Sequence, residues 1–388
     1  MTKREAEGVA TFRVGVELLL AAVRLAEAAG LARRVDRFVG RVSLRPEGDA
    51  LAIGASDGLE AAAEVLVPLG GSAAFEVVTV ATERLASTLA AFVSIGAGVV
   101  GVVVDRRGGS VAFAADGFEA SLSAMPIRDG DPRLVEPVAS VSEPVGGLVV
   151  PVGLDLLAAL RFARHAVWDG AERASLRGYL VEPVRGSASL RVVATDGNRL
   201  AASAPIRGVS TGPVRLPSRT IGLAEIALGT DAATVEVGPG VAVLRSRGGR
   251  ASVGTEGLED AFADAALILE DLDNVRATSG LRGAALATVA RLALAHGSDR
   301  PATLRVAPED VSIATVDTLG ARSRSWVEAE VRSSTVAEVG ISPRFVLDAA
   351  SAFDPDEVVE VVVRGRFDAV HLVGERGGIC LVAPQRLD

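Results

Sequence analysis

One short pattern is written three times along this chain, and that repetition restricts the fold more than any single motif. Its clearest copy is Arg191-Val192-Val193-Ala194-Thr195-Asp196-Gly197-Asn198-Arg199-Leu200-Ala201, which reads as a buried strand, a tight Asp-Gly turn and a second strand from Leu200. Asp-Gly between two apolar runs is the strongest short-range hairpin signal. Ile53-Gly54-Ala55-Ser56-Asp57-Gly58-Leu59 carries the same pattern about a third of the chain earlier, and Ala314-Thr315-Val316-Asp317-Thr318-Leu319 repeats it in degraded form about a third later. A period of that length means one structural unit copied in series.

The segments around the hairpins repeat as well. Val14 to Gly30 has helical periodicity and a terminal glycine, with counterparts in Val152 to His165 and Leu286 to Gly297. A second helix per unit is predicted for Thr82 to Phe92 with Thr82 as N-cap, behind Ser218 for residues up to Leu228, and behind Ser342, where Pro343 takes the first helical position. Each unit then closes on a meander: Val99 to Val104, Val111 to Ala115 and Glu119 to Ala124; Ala233 to Val237, Val241 to Ser246 and Ala251 to Val253; Val358 to Val363, Ala369 to Val373 and Ile379 to Val382. Linkers are expected at Val141 to Gly147 and around Glu270 to Ser279. With 388 residues the chain suits domains at 1–143, 144–272 and 273–388, each large enough to bury its own core.

Composition removes several classes of function. Hydrophobic residues make up 49% of the chain, yet Arg or Glu interrupts every apolar run before the ~18 residues that span a bilayer. The mixed charges of the N-terminus lead into no signal-like core, so a cytoplasmic protein without a membrane partner is expected. The single Cys380 leaves no disulfide framework and reads as a small buried hydrophobe. His165, His296 and His371 are far apart, with no spacing that suits a metal. No nucleophile elbow, phosphate loop or paired His-Glu motif occurs, and the carboxylates Glu256, Glu259 and Asp260 read as a solvated loop. No catalytic residue, metal or cofactor is therefore expected. The net charge of -9 argues against attachment to nucleic acid by overall attraction but leaves room for an arginine-lined inner surface, since all basic residues except Lys3 are arginine.

A unit of strands and two amphipathic helices packs most economically with both helices on one face of antiparallel sheet and the other face toward water. The fold class is α+β, with three repeats forming an arc that closes by head-to-tail pairing with a second copy.

Against this background the chain resembles the bacterial DNA polymerase III beta subunit, the sliding-clamp family. The resemblance rests on Ala194 to Ala201, on Val339-Gly340-Ile341-Ser342-Pro343-Arg344-Phe345-Val346-Leu347-Asp348, on Val382-Ala383-Pro384-Gln385-Arg386-Leu387 and on Ser121 to Pro126, in the family's order and spacing. It implies three clamp domains and a ring of two subunits whose helices face the duplex. The family performs no chemistry. It holds the DNA polymerase III catalytic subunit and other proteins with clamp-binding motifs on double-stranded DNA, and a clamp loader places it there.

The family's partner-peptide pocket maps onto Leu176, Thr195, Gly197, Asn198, Arg199, Leu200, Ser342, Phe345, Phe367, Ala383, Pro384, Gln385, Arg386 and Leu387. Apolar side chains around a turn suit a short amphipathic peptide, although Leu200, Phe345 and Phe367 would also serve as ordinary core. The chain departs from the family where Ala383-Pro384-Gln385 replaces Met-Pro-Met, where Asn198 replaces histidine and where Asp388 follows the terminal leucine. Loss of two adaptable thioethers should shrink or harden the groove and alter partner preference. Candidates for DNA contact are Arg24, Arg33, Arg34, Arg37, Arg84, Arg161, Arg164, Arg173, Arg219, Arg291 and Arg344. Arg33 and Arg173 match arginines of the family's DNA-facing loops, whereas Ala174-Ser175 stands where the family often has aromatics. A solvated helix face paired with Glu17, Glu27, Asp155 and Glu225 is the alternative for these arginines. Phe118 and Leu294 correspond to the family's ring-closing contact between subunits. A clamp-fold interaction hub that does not encircle DNA is the alternative function, and an enzyme on repeated domains is a third.

Overall fold

The computed structural model describes residues 9–30, 40–56, 61–105, 107–126, 144–168, 170, 172–228, 231–255, 258, 261–264, 269, 275–297, 300–330 and 335–387. The Asp57-Gly58 turn, Arg33, Arg34, Arg37, Glu256, Glu259, Asp260 and Asp388 lie outside the described residues.

The order strand, helix, strands, helix, strands occurs three times. The first pass runs Val9–Gly15, helix α1 (Val16–Gly30), Arg41–Glu47, Ala50–Ser56, Ala61–Pro68, Val78–Ala81, helix α2 (Thr82–Ser94), Val99–Asp105, Ser110–Ala115 and Phe118–Pro126. The second contains Gly146–Val150, helix α3 (Gly153–Ala163), Tyr179–Pro183, Ser189–Thr195, Arg199–Ala202, Val214–Leu216, helix α4 (Thr220–Ala227), Ala233–Gly238, Val241–Ser246 and Gly249–Gly254. The third contains Ala277–Arg282, helix α5 (Gly283–Gly297), Ala302–Val306, Asp310–Val316, Arg322–Glu328, Ala337–Ile341, helix α6 (Pro343–Ala350), Val358–Val363, Val370–Gly374 and Ile379–Val382.

By compactness the chain divides into two units, one of residues 1–157 and 219–256, the other of residues 158–218 and 257–388. In the first unit, antiparallel sheet runs in the order 9–15, 99–105, 110–115, 118–126, 78–81, 41–47, 50–56, 61–68, 249–254, 241–246, 233–238 and 146–150. Alternation supplies the core face: Ala10, Phe12 and Val14 are buried opposite Val100, Val102 and Val104. Helix α2 buries Thr82, Leu85, Leu89 and Phe92, one stripe at helical spacing, and α1 packs against both α2 and α4. Where strand 61–68 meets 249–254, the nearly buried Glu64 (side chain 3% exposed) lies 2.8 Å from Arg45 and 2.6 Å from Arg250. Glu47 completes the cluster at 3.0 Å from each arginine, so the buried carboxylate is fully compensated.

The second unit holds two antiparallel sheets, in the orders 214–216, 179–183, 189–195, 199–202, 379–382, 370–374, 358–363, 277–282 and 322–328, 310–316, 302–306, 337–341. Helices α5 and α6 pack together. The expectation that one sheet face looks to water fails here. Leu180, Val193, Ala202 and Leu381 are covered by Leu269 and the half-buried Phe262. The covering segment is held by Arg215, which donates to the carbonyls of Leu258 (3.3 Å), Ala174 (2.9 Å) and Arg177 (2.7 Å) and lies 5.3 Å from the Phe262 ring centre. An apolar sheet face is more stable covered than wet, and Phe262 and Leu269 cover it.

Other details differ from the sequence reading. Thr82 is not the N-cap of α2. Ala81 occupies that position, and Thr82 is the buried first residue of the helix. Ser342 is the N-cap of α6 with Pro343 next, but its side chain makes no cap bond, and Arg219 rather than Ser218 caps α4. Gly146-Gly147, read as linker, begins strand 146–150, and Ala277 to Ser279 belongs to strand 277–282.

Candidate functional site

The hairpin that drew attention in the sequence is a dense knot of hydrogen bonds in the second unit. Strands 189–195 and 199–202 pair with Thr195 opposite Leu200, and the Asp196 N–H donates to the Arg199 carbonyl at 3.2 Å. The turn is therefore centred on Gly197-Asn198, one residue later than the Asp-Gly reading. Gly197 has φ +86°, at the first central position where hairpin turns favour glycine. The Asp196 carboxylate accepts from the backbone N–H groups of Asn198 and Arg199, both at 2.8 Å, and Thr195 Oγ1 donates to the Arg199 carbonyl at 2.7 Å. Asp317 repeats the device in the third copy, accepting from Leu319 and Ala321 at 2.8 Å.

This rigid turn aims Arg199 at α6. Its guanidinium is shared between Asp196 (2.8 Å) and Asp348 (2.7 Å) and lies 4.6 Å from the centre of the Phe345 ring. Two carboxylates and an aromatic face fix a planar guanidinium in one orientation. Arg344 reaches the same Asp348 at 3.2 Å. Under this network His165 donates from Nδ1 to the Phe162 carbonyl at 3.1 Å. Burial, and after it the positive charge of Arg199, pushes the His165 pKa down to about 4, outweighing the Phe162 carbonyl, Asp348 and Asp196.

The C-terminal tail is laced across both elements. The Ala383 N–H donates to the Asn198 carbonyl and the Gln385 N–H to the Gly340 carbonyl, both at 2.8 Å. Gly340 allows this approach, since a Cβ there would stand 2.1 Å from the Gln385 carbonyl oxygen. The tail forms one wall of an open cleft of about 280 Å³ lined by Gly340, Arg366, Phe367, Gln385, Arg386 and Leu387. Phe367 is 78% exposed, so it is no core residue.

The sequence-predicted pocket residues thus fall into groups. Phe367, Gln385, Arg386 and Leu387 line the cleft. Asn198, Arg199, Phe345 and Ala383 belong to the adjoining network, and Leu176 abuts Gly197, 3.6 Å from where its Cβ would be. Thr195 braces the turn, and Leu200 is core, packed with Leu180 and Leu381. Ser342 and Pro384 are half-buried beside these elements. Asp196, Asp348, His165, Gly340 and Arg366 belong to the site without being among the residues predicted for it from sequence. A signal existed for Gly340, because glycine inside a strand marks close backbone approach, and for Asp348, four residues after Arg344 on one helix face.

Arg24, Arg84, Arg161, Arg164, Arg291 and Arg344 are exposed on or beside helices, and Arg219 is half-buried at the head of α4. Arg173 stands 5.3 Å from the Trp168 ring centre and donates to the Asp196 carbonyl at 3.2 Å, which ties its loop to the hairpin. Phe118 is 58% exposed, while Leu294 is half-buried and its neighbour Leu292 exposed. Among the described residues no group of three or more metal-ligating side chains gathers, and no helix is long and apolar enough to cross a membrane. Cys380 is fully buried, which raises its thiol pKa far above the ordinary value.

No protein-family model and no curated protein matches the sequence. Solved structures do match the fold. A DNA polymerase III subunit beta sliding clamp of Pseudomonas aeruginosa bound to griselimycin is similar with a TM-score of 0.79 at 17% identity, over 98% of this chain and 100% of that one. The DNA polymerase III beta subunit of Thermotoga maritima is similar with a TM-score of 0.78 at 14% identity, over 98% and 100%. The Helicobacter pylori beta clamp bound to a DNA ligase peptide is similar with a TM-score of 0.75 at 15% identity, over 97% and 100%. The chain has the sliding-clamp fold over nearly its whole length.

Proposed function

We propose that this protein is a DNA sliding clamp, a non-enzymatic processivity factor that closes with a second copy around double-stranded DNA and tethers replication and repair proteins. The observation that carries this reading is the agreement of fold across 97–98% of the chain with clamps that are themselves covered completely. The sequence repeat supports domains at 1–143, 144–272 and 273–388. The chain would work in the cytoplasm, placed on DNA by a clamp loader and holding the DNA polymerase III catalytic subunit.

Head-to-tail closure is supported by two sheet margins. Among the described residues, 118–123 pair on one side only, with 110–115, and begin at the exposed Phe118. Strand 322–328 ends the four-stranded sheet and presents Trp326, 62% exposed. An unpaired strand edge with an exposed aromatic invites another strand. Leu292 and Leu294 on α5 would extend that contact. DNA would be met through Arg24, Arg33, Arg34, Arg84, Arg161, Arg164, Arg173, Arg219 and Arg291, in non-specific, salt-sensitive phosphate contacts. The cleft beside the tail would receive partner peptides, a reading supported by the Helicobacter pylori clamp, which is bound to a DNA ligase peptide.

Encirclement is tested by topology. Protein loaded on nicked circular DNA should stay bound through gel filtration and be lost when the circle is linearised. Equal loss from both forms would leave an interaction hub that does not enclose DNA.

A further inference from the structure

The cleft is more basic than its surroundings require. Arg366 and Arg386 both line it, next to Phe367 and Leu387. Arg366 stands 5.7 Å from the Phe367 ring centre, and among the described residues neither guanidinium has a carboxylate partner. Other arginines of the same unit do: Arg199 has Asp348 at 2.7 Å, Arg305 has Asp310 at 3.0 Å and Arg376 has Asp354 at 3.3 Å. Asp368, the acidic residue nearest Arg366 in sequence, turns its carboxylate back toward Gly365, where a Cβ would meet its Oδ2 at 2.5 Å, and Asp388, two residues after Arg386, lies outside the described residues.

Two cations without a carboxylate partner among the described residues make a local positive spot on a chain of net charge -9. Acidic partners would be repelled from most of such a surface and drawn to this place, which favours selection by charge. The lining offers an apolar ring and a leucine for one anchor side chain, an amide at Gln385, and two guanidinium forks matched to carboxylates. A volume of about 280 Å³ holds one or two side chains. Resting on the reading of this cleft as a peptide site, we propose that its occupant is a short peptide segment that sets a carboxylate beside an apolar anchor. Arg366 and Arg386 select it against neutral or basic segments with the same anchor.

The test uses the full chain and a panel of synthetic peptides with Leu and Phe anchors, each made with Glu, Gln or Lys in the flanking positions and followed by fluorescence anisotropy. For peptides that bind, the Glu member should bind about fivefold more tightly than its Gln twin at low salt, two partly exposed ion pairs supplying the difference. The Lys member should be weakest. In the Arg366→Gln, Arg386→Gln double variant the affinity ratio of the Glu and Gln twins should fall to about one. Equal binding of Glu and Gln twins to the unmodified chain would overturn the charge selection and leave the peptide site standing. No binding by any member, or binding untouched by Phe367→Ala, would remove the peptide site and the proposal with it.

Discussion

Gly340 shows how a single missing side chain shapes the candidate site. Its backbone carries the tail at 2.8 Å, and the obstacle to a Cβ is a main-chain carbonyl that cannot rotate away. Gly340→Ala should therefore lift Gln385 off the strand, lower stability by about 1–3 kcal/mol and expose the tail amides to hydrogen exchange. Unchanged protection of the Gln385 amide would contradict the account. His165 carries the pH dependence. Its folded pKa of about 4 lies below the ordinary histidine value, so the unfolded chain binds the proton more readily. Stability contributed by the neutral ring is complete above the unfolded value and is lost as pH falls from about 6.5 toward 4. Between those limits the unmodified protein should lose on the order of 2–3 kcal/mol more than His165→Gln. Parallel unfolding curves for the two proteins across that range would refute the burial argument.

Among the elements, the strands and helices were legible almost throughout, because alternation and helical stripes respond to the burial that stabilises them. Val99–Asp105, Val241–Ser246 and Ile379–Val382 stand within a residue of their predicted bounds. What was illegible depended on local competition. Thr82 could cap a helix but is buried instead, and Gly146-Gly147 has linker composition yet pairs with Glu236 and Val237. The site was half legible: the Asp-Gly turn and the aromatic residues announced themselves, while the partnership of Arg199 with Asp348 joins positions that only the fold brings together. Strand 322–328 is an end strand bearing an exposed tryptophan. If it closes the ring, Trp326→Glu should weaken self-association about tenfold or more while leaving the thermal unfolding of each chain nearly unchanged. Sedimentation over a concentration series measures this, and an unaltered dimerisation constant would exclude that edge from the contact.

At the scale of the molecule, the threefold order of elements and the fold agreement with sliding clamps support the proposed assembly, in which two copies of this acidic chain would join end to end and leave a passage for a duplex. The low identities to the compared clamps, 17%, 14% and 15%, fit a fold held by patterning rather than by particular residues, since cores tolerate wide exchange of apolar side chains. A net charge of -9 is compatible with this proposal, because a closed ring would be retained by its topology and would need only local arginines toward the duplex. Electron microscopy of the purified protein, paired with its mass in solution by light scattering, tests the claim most directly. Closed rings of two chains with an open centre wide enough for double-stranded DNA are expected. Single arcs with the mass of one chain, or dimers without a central opening, would contradict it.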